Sequence, residues 1–258
     1  MRFAALALAL ACARAFIDTE AWVGVEYTPT SASNALWWHR FDVYRPQVER
    51  ELALAARRLR INTLRMFLHS LVFEANSTAL LANMDTFAGI AAGHGMKILW
   101  VIFDDCWDHS GANLTSECRP FPGGCGLCWM ASPQDVDRTS VERYRPYVEA
   151  VVRAFGNDTR VRAIETFNEP KLSEPFSAQL RDAAYAWAKA LSPIVPILSL
   201  WDDSNVTDIL DHHEYTAAFF RLGNPPCTRR RRRARLSPRL ARDGSSSPSH
   251  LTRARRFS

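Results

Sequence analysis

Val161-Arg162-Ala163-Ile164-Glu165-Thr166-Phe167-Asn168-Glu169-Pro170 is the stretch that decides how this chain folds. The run from Val161 alternates in strand fashion and stops at a proline, which has no N–H to give to a sheet ladder. It reads as a barrel strand whose last residues are an amide and a carboxylic acid. A glutamate fixed at a strand end, next to an amide able to bond a hydroxyl, is suited to general acid–base work. Its plainer role is to cap the helix that follows. Three residues alone are a weak motif, so the flanking chain must supply the context.

Outward from that strand, strand-like and helix-like segments alternate. Residues 21–25 form a short apolar strand. Residues 46–60 predict a helix with Pro46 in its first turn and Val48, Leu52, Ala55 and Leu59 on one face. Residues 61–69 predict a strand. Residues 77–94 predict a helix with Leu80, Met84, Phe87 and Ala91 inward and Gly95 ending it. Lys97 to Phe103 is almost wholly apolar, as in a strand covered on both faces. A Gly-, Pro- and Cys-rich loop follows over 104–133. A helix then runs to about Phe155, with a kink expected at Pro146. After the 161–169 strand come a helix over 177–191, a strand over 195–201 and one more strand within 206–215. Such alternation predicts parallel strands joined by helical crossovers. No glycine-rich loop follows the first strand, which argues against a nucleotide-binding sheet. The expected fold is therefore an α/β (β/α)8 barrel, incomplete, with about six β/α units and the start of a seventh strand.

The ends of the chain read differently. Arg2, the apolar run Phe3–Ala11 and the small-x-small site Ala13-Arg14-Ala15 make residues 1–15 a secretory signal, too short to span a bilayer. Residues 16–227 are the barrel, and residues 228–258 are an arginine-rich tail expected to be disordered. That tail holds 11 of the 32 Lys+Arg and one of the 27 Asp+Glu, so it carries +10 while residues 1–227 carry −5. The basic pI thus belongs to the tail, and nothing in the body calls for nucleic acid. The tail itself has three readings: a binder of acidic surfaces, a plain solvated segment, or a wrong-frame or intron-derived translation. Beyond the signal, five cysteines remain: Cys106, Cys118, Cys125, Cys128 and Cys227. The first four predict two disulfides in a secreted chain, with the pairing open, in preference to zinc ligation. Sequons at Asn76, Asn113, Asn157 and Asn205 fit a secreted glycoprotein.

Four segments resemble one family. Arg60-Ile61-Asn62-Thr63-Leu64-Arg65-Met66-Phe67-Leu68-His69 is similar to the second strand of family 5 glycoside hydrolases and their clan A relatives. Phe103-Asp104-Asp105-Cys106-Trp107 resembles the end of the third strand in a cellulase-like subgroup. Phe167-Asn168-Glu169-Pro170 resembles the end of the fourth, and Asp208-Ile209 with His213-Glu214-Tyr215 the sixth. The likeness covers roughly residues 20–227 in barrel order. It implies an O-glycosyl hydrolase acting on β-linked glucan or mannan-like polysaccharide with retention of configuration, as a secreted monomer without cofactor or metal. Glu169 would be the general acid/base and Asn168 would bond the sugar 2-hydroxyl. Arg65 would hold the nucleophile ionised, although a structural ion pair is an equal reading. His213 and Tyr215 would line the subsite at the scissile bond. Trp107, Trp129 and Trp201 follow strand ends and would stack on sugar faces, or simply pack. His69 is expected as a hydrogen-bonded pocket histidine. Glu26, Asp104, Asp105, Asp202 and Asp203 also follow strands, as substrate ligands or ordinary loop acids. In one place the chain departs from the family. Pro225-Pro226-Cys227-Thr228 leads into Arg229, where the resemblance calls for the nucleophilic glutamate. The alternative is therefore an inactive, secreted carbohydrate-binding barrel.

Overall fold

A computed structural model describes residues 21–29, 32–107, 109, 113–115, 129–199, 205–211 and 213. The expected signal, the arginine tail, Trp201, Asp202, Asp203, Tyr215, Arg229 and every cysteine except Cys106 lie outside the described residues. Among the described residues five strands form one sheet: β1 (Gly24–Glu26), β2 (Thr63–Phe67), β3 (Lys97–Asp104), β4 (Val161–Asn168) and β5 (Ile197–Leu198). Their spatial order is their chain order, and every neighbouring pair is parallel. An order that never reverses has no switch point of the doubly wound kind, so the strands are wound in one direction, as barrel strands are.

The helices are α1 (Asn34–His39), α2 (Phe41–Leu59), α3 (Ser70–Ala92), α4 (Arg145–Phe155) and α5 (Pro175–Ala190). Alternation along each strand divides the apolar residues between two faces. Leu64, Met66, Ile98, Trp100, Ile164 and Ile197 join the large core shared with Val48, Leu52, Leu80, Met84, Val148, Val151 and Leu180 of the helices. Phe67, Leu99, Val101, Ala163 and Leu198 form a second, smaller cluster with Trp129. The sheet is thus covered on both sides, which explains the continuous apolar run of β3.

Several boundaries differ from the sequence reading. Pro46 lies inside α2, which begins five residues earlier at Phe41, and Leu59 is 37% exposed rather than packed. Arg60 takes a left-handed conformation (φ 51°) and turns the chain out of the helix there. The second helix starts at Ser70, and Asn76 interrupts it (φ −163°, ψ 89°). Asn76 Oδ1 accepts the N–H of Ala79 at 2.9 Å, so the expected helix from residue 77 is the capped second segment. Leu80, Met84, Phe87 and Ala91 are all buried as predicted. Pro146 does not kink a long helix but sits in the first turn of α4, after a 3₁₀ turn at Val141–Tyr144. α1 is a further helix that the sequence reading left out. Its cap is Ser33, whose hydroxyl accepts the N–H of Leu36 at 3.2 Å.

The expected strand over 206–215 is absent from residues 206–211, which turn instead. Side chains explain this. Asp208 Oδ2 accepts the N–H of Ile197 at 2.8 Å, and Thr207 Oγ1 accepts that of Ser199 at 3.4 Å. These oxygens occupy the N–H groups of Ile197 and Ser199, which the carbonyls of a neighbouring strand would otherwise take. The Asp208 carboxylate is also held by Lys189 (2.8 Å) and Tyr185 (3.0 Å) of α5. Among the described residues no helix is long and apolar enough to cross a membrane. The sequon residues Asn76, Asn113, Asn157 and Asn205 are all exposed.

Candidate active site

The C-terminal ends of β1 to β4 gather a compact polar cluster. Its base is Arg65, buried in the middle of β2. The guanidinium spans three strands. It donates from Nε to Glu165 Oε2 (2.8 Å), from Nη2 to Glu165 Oε1 (2.5 Å) and from Nη1 to Glu26 Oε1 (2.7 Å). The two bonds to Glu165 make a fork-to-carboxylate pair, the most directional form of this interaction. Burial opposes the charge on Arg65, but Glu165 and Glu26 outweigh it and raise its pKa. Burial likewise raises the pKa of Glu165, against the pull of Arg65. Arg65 also lies 4.8 Å from the centre of the Phe67 ring.

Asn168, the last residue of β4, is clamped on both sides of its amide. Its Oδ1 accepts from Arg65 Nη2 at 2.7 Å, and its Nδ2 donates to Asp104 Oδ1 at 2.5 Å. One amide hydrogen remains for another acceptor. Asp104 also accepts the backbone N–H groups of Cys106 (3.3 Å) and Trp107 (3.2 Å). Burial raises its pKa well above the usual carboxylate value, against those hydrogen bonds.

Glu169 follows in a left-handed conformation, φ 44°. This backbone is disfavoured for a residue with a side chain, and it turns the carboxyl away from the strand direction. The side chain is 15% exposed, and its Oε1 lies 2.5 Å from His213 Nδ1. His213 Nε2 is 3.8 Å from Asp211 Oδ2, so the imidazole stands between two carboxylates. Burial lowers the pKa of His213, but the hydrogen bond to Glu169 and the charges of Glu165 and Asp211 outweigh burial and Arg65 and leave it above 6.5. The folded state therefore binds this proton more tightly than the unfolded chain. The resulting stabilisation is complete below pH 6.5 and fades as pH rises through the raised value. Replacing His213 with asparagine should remove that slope. Urea unfolding on either side of this window checks it, and an unchanged slope would disprove the contact.

Among the described residues Cys106 carries a free thiol, and its expected partners Cys118, Cys125 and Cys128 lie outside them. Burial first, then the adjacent Glu169 carboxylate to which it hydrogen-bonds, raise the thiol's pKa, with Asp104 and Glu26 adding to the effect. A thiol kept protonated in this way is a poor nucleophile and a poor metal ligand. Among the described residues, no three His, Cys, Asp or Glu side chains are arranged to hold a metal ion.

Three further expected residues fall as follows. His69 does not line the cleft: it is completely buried and caps α3, accepting the N–H of Leu71 on Nδ1 at 3.2 Å. Burial, against the Ala131 carbonyl, lowers its pKa to about 4, so it is neutral. Trp129 is a packing residue, stacked on Phe67 at 4.6 Å between ring centres. Trp107 meets its edge at 4.9 Å and is only half-buried, so Trp107 alone of the two offers surface to a ligand. Glu165 and Asp105 are site residues that the sequence reading did not assign. A signal existed for Glu165, since it stands four residues before Glu169 in β4, and an acid on an inward position needs a buried cation.

No family model matches this chain, and no curated protein matches it. Among solved structures the chain is similar to an exo-beta-1,4-mannosidase, Op5Man5, from Opitutaceae bacterium strain TAV5. The identity is 18% and the TM-score 0.49, over 68% of this chain and 31% of that one. It is also similar to the apo structure of a beta-glucosidase 1317, at 21% identity and TM-score 0.36, over 67% of this chain and 45% of that one. The chain thus spans less than half the length of either. What the fold and site define is a class: an α/β protein of singly wound parallel strands, with a buried acid–amide–arginine cluster at their C-terminal ends.

Proposed function

We propose that this chain is a glycoside hydrolase-type barrel of the family 5, clan A kind, directed at β-linked glucan or mannan-like polysaccharide. The observation that carries the proposal is the placement of Glu169. Its carboxyl stands partly open at the end of β4, 2.5 Å from His213 and directly after the clamped amide of Asn168. In this reading Glu169 is the general acid/base, and His213 holds its carboxyl in place. The remaining N–H of Asn168 meets the sugar 2-hydroxyl, and that bond strengthens as positive charge develops on the ring. Trp107 offers an apolar face to the sugar, with Trp201 and Tyr215 as its expected companions. The protein is secreted, glycosylated and monomeric in this reading, and it needs no cofactor.

A second reading rests on Arg229. A retaining enzyme needs a second carboxyl group about 5–5.5 Å from the first. Arginine cannot supply it, because the guanidinium stays protonated and has no free lone pair. In that case the chain binds β-linked saccharide without cleaving it. Calorimetry with β-1,4-linked gluco- and manno-oligosaccharides tests what both readings share. Binding is expected, and Asn168→Ala should weaken it. If no β-linked oligosaccharide binds, both readings fail.

A further inference from the structure

Glu169 keeps a disfavoured backbone, so something must hold it there. The neighbouring strand does. The N–H of Asp105 donates to the carbonyl of Asn168 at 3.2 Å, just before Glu169. Asp105 Oδ2 accepts the N–H of Lys171 at 2.9 Å, two residues after it. One residue of the β3 end thus closes a bracket around Asn168-Glu169-Pro170-Lys171. The other oxygen of Asp105 is paired with Arg138. Arg138 in turn donates to Ser177 Oγ of α5 at 2.9 Å and to Glu174 Oε2 at 3.3 Å, and it lies over the Phe176 ring at 5.5 Å. The bracket is therefore anchored to the start of α5 as well as to the sheet. His109 completes the cluster, with Nε2 3.0 Å from the Asp105 carbonyl and 3.1 Å from Lys171 Nζ. The Asp105 side chain is fully buried and that of Arg138 is 9% exposed, so water does not compete strongly for these bonds.

We propose that Asp105 is a positioning residue that aims the Glu169 carboxyl by fixing the left-handed turn on which it is carried. The proposal rests on the reading of Glu169 as the acid/base residue. It assigns Asp105, left open by the sequence between ligand and ordinary loop acid, to neither role. It also separates the duties of the Asp104-Asp105 pair: Asp104 orients the amide of Asn168, and Asp105 orients the acid of Glu169.

His213 is a reporter of where Glu169 points. The groups that face it are Glu169 and Asp211, with Arg65 and Glu165 acting at longer range. Its titration midpoint is followed by NMR, with the resonance assigned by its loss in His213→Asn. Glu169→Gln sets the scale by lowering the midpoint. Asp105→Ala is expected to lower it by at least about half as much, because an unbracketed carboxyl no longer stays on the imidazole. Removing Asp105 alone takes from Arg138 its buried partner and leaves it only the more exposed Glu174 and Asp135, so the same shift is also read in Asp105→Ala/Arg138→Met. Asp105→Asn keeps an oxygen for the Lys171 N–H and should stay close to the wild-type midpoint. A merely structural Asp105 would lower stability without moving the midpoint of a folded variant. In the unaltered protein, the Lys171 amide should be protected from hydrogen exchange. A wild-type midpoint in the folded double variant, or Lys171 exchange at the free-peptide rate, overturns the proposal. If Glu169→Gln itself leaves His213 unmoved, the Glu169–His213 contact is wrong, and the site reading fails together with the bracket.

Discussion

Replacing Arg65 with methionine is expected to destabilise the protein by about 3–5 kcal/mol, the cost of leaving a buried charge without its partner. The Glu165 side chain is wholly inaccessible to water, and both its oxygens are held by Arg65. Removing the guanidinium also strips a donor from Asn168 and leaves Glu26 unpaired at the rim. The effect should depend on pH. Burial already raises the pKa of Glu165 with Arg65 present, and without Arg65 it must rise further. A raised carboxyl pKa favours the protonated folded state, so the variant recovers stability in acid and loses it as pH rises. Arg65→Met combined with Glu165→Gln should restore much of the loss at neutral pH, since Glu165 then no longer leaves a buried charge without its partner. Urea unfolding of the three proteins checks this. A single variant within about 1 kcal/mol of wild type would show that the pair is exposed to solvent in solution.

The second large effect concerns the chemistry of Glu169. In the reading proposed above, Arg229 takes the sequence position of the nucleophile, so the chain is expected to give no retaining hydrolysis. Azide supplied in solution can take that part with phenyl β-glycosides. It attacks the anomeric carbon from the opposite face, and the bond to the phenolic oxygen breaks. Glu169 gives its proton to the departing oxygen, and an α-glycosyl azide and phenol result. Glu169→Gln should lower this azide-dependent release by about 10²–10⁴-fold, the usual contribution of general acid catalysis. NMR of the products gives both rate and configuration. Hydrolysis with retention at equal rate without azide would show that the chain supplies its own nucleophile. Unchanged azide turnover in the glutamine variant would remove Glu169 from the acid role. Sugar binding without any azide product would leave the binding barrel as the better reading.

The role of Arg65 shows where reading along the chain runs out. Its sequence context marks a strand and a charge on the inward face, but not the partner. Arg65 and Glu165 are a hundred residues apart and meet only because β2, β3 and β4 pair in register, with Arg65 beside Leu99 and Val101 beside Glu165. Cys106 teaches the same lesson. Cysteine count and spacing gave no hint that the turn after β3 sets the Cys106 thiol against Glu169.

By itself, the sequence determined the type of most elements, though not α1 or the turn over residues 206–211. Apolar periodicity marks α2 and α3, the continuous apolar run marks β3, and Pro170 fixes the end of β4 at an amide and an acid. These are local matters, set by side-chain pattern and backbone chemistry within a few residues. The tertiary structure alone decided which charges share a site. It forked Arg65 onto Glu165 and Glu26, clamped Asn168 between Arg65 and Asp104, set His213 on Glu169, and turned the side chains of Asp208 and Thr207 onto the backbone of Ile197 and Ser199. The physical reason is that a buried charge or hydrogen-bond donor must be satisfied by whatever group packing brings within about 3 Å, and distance along the chain does not say which group that is.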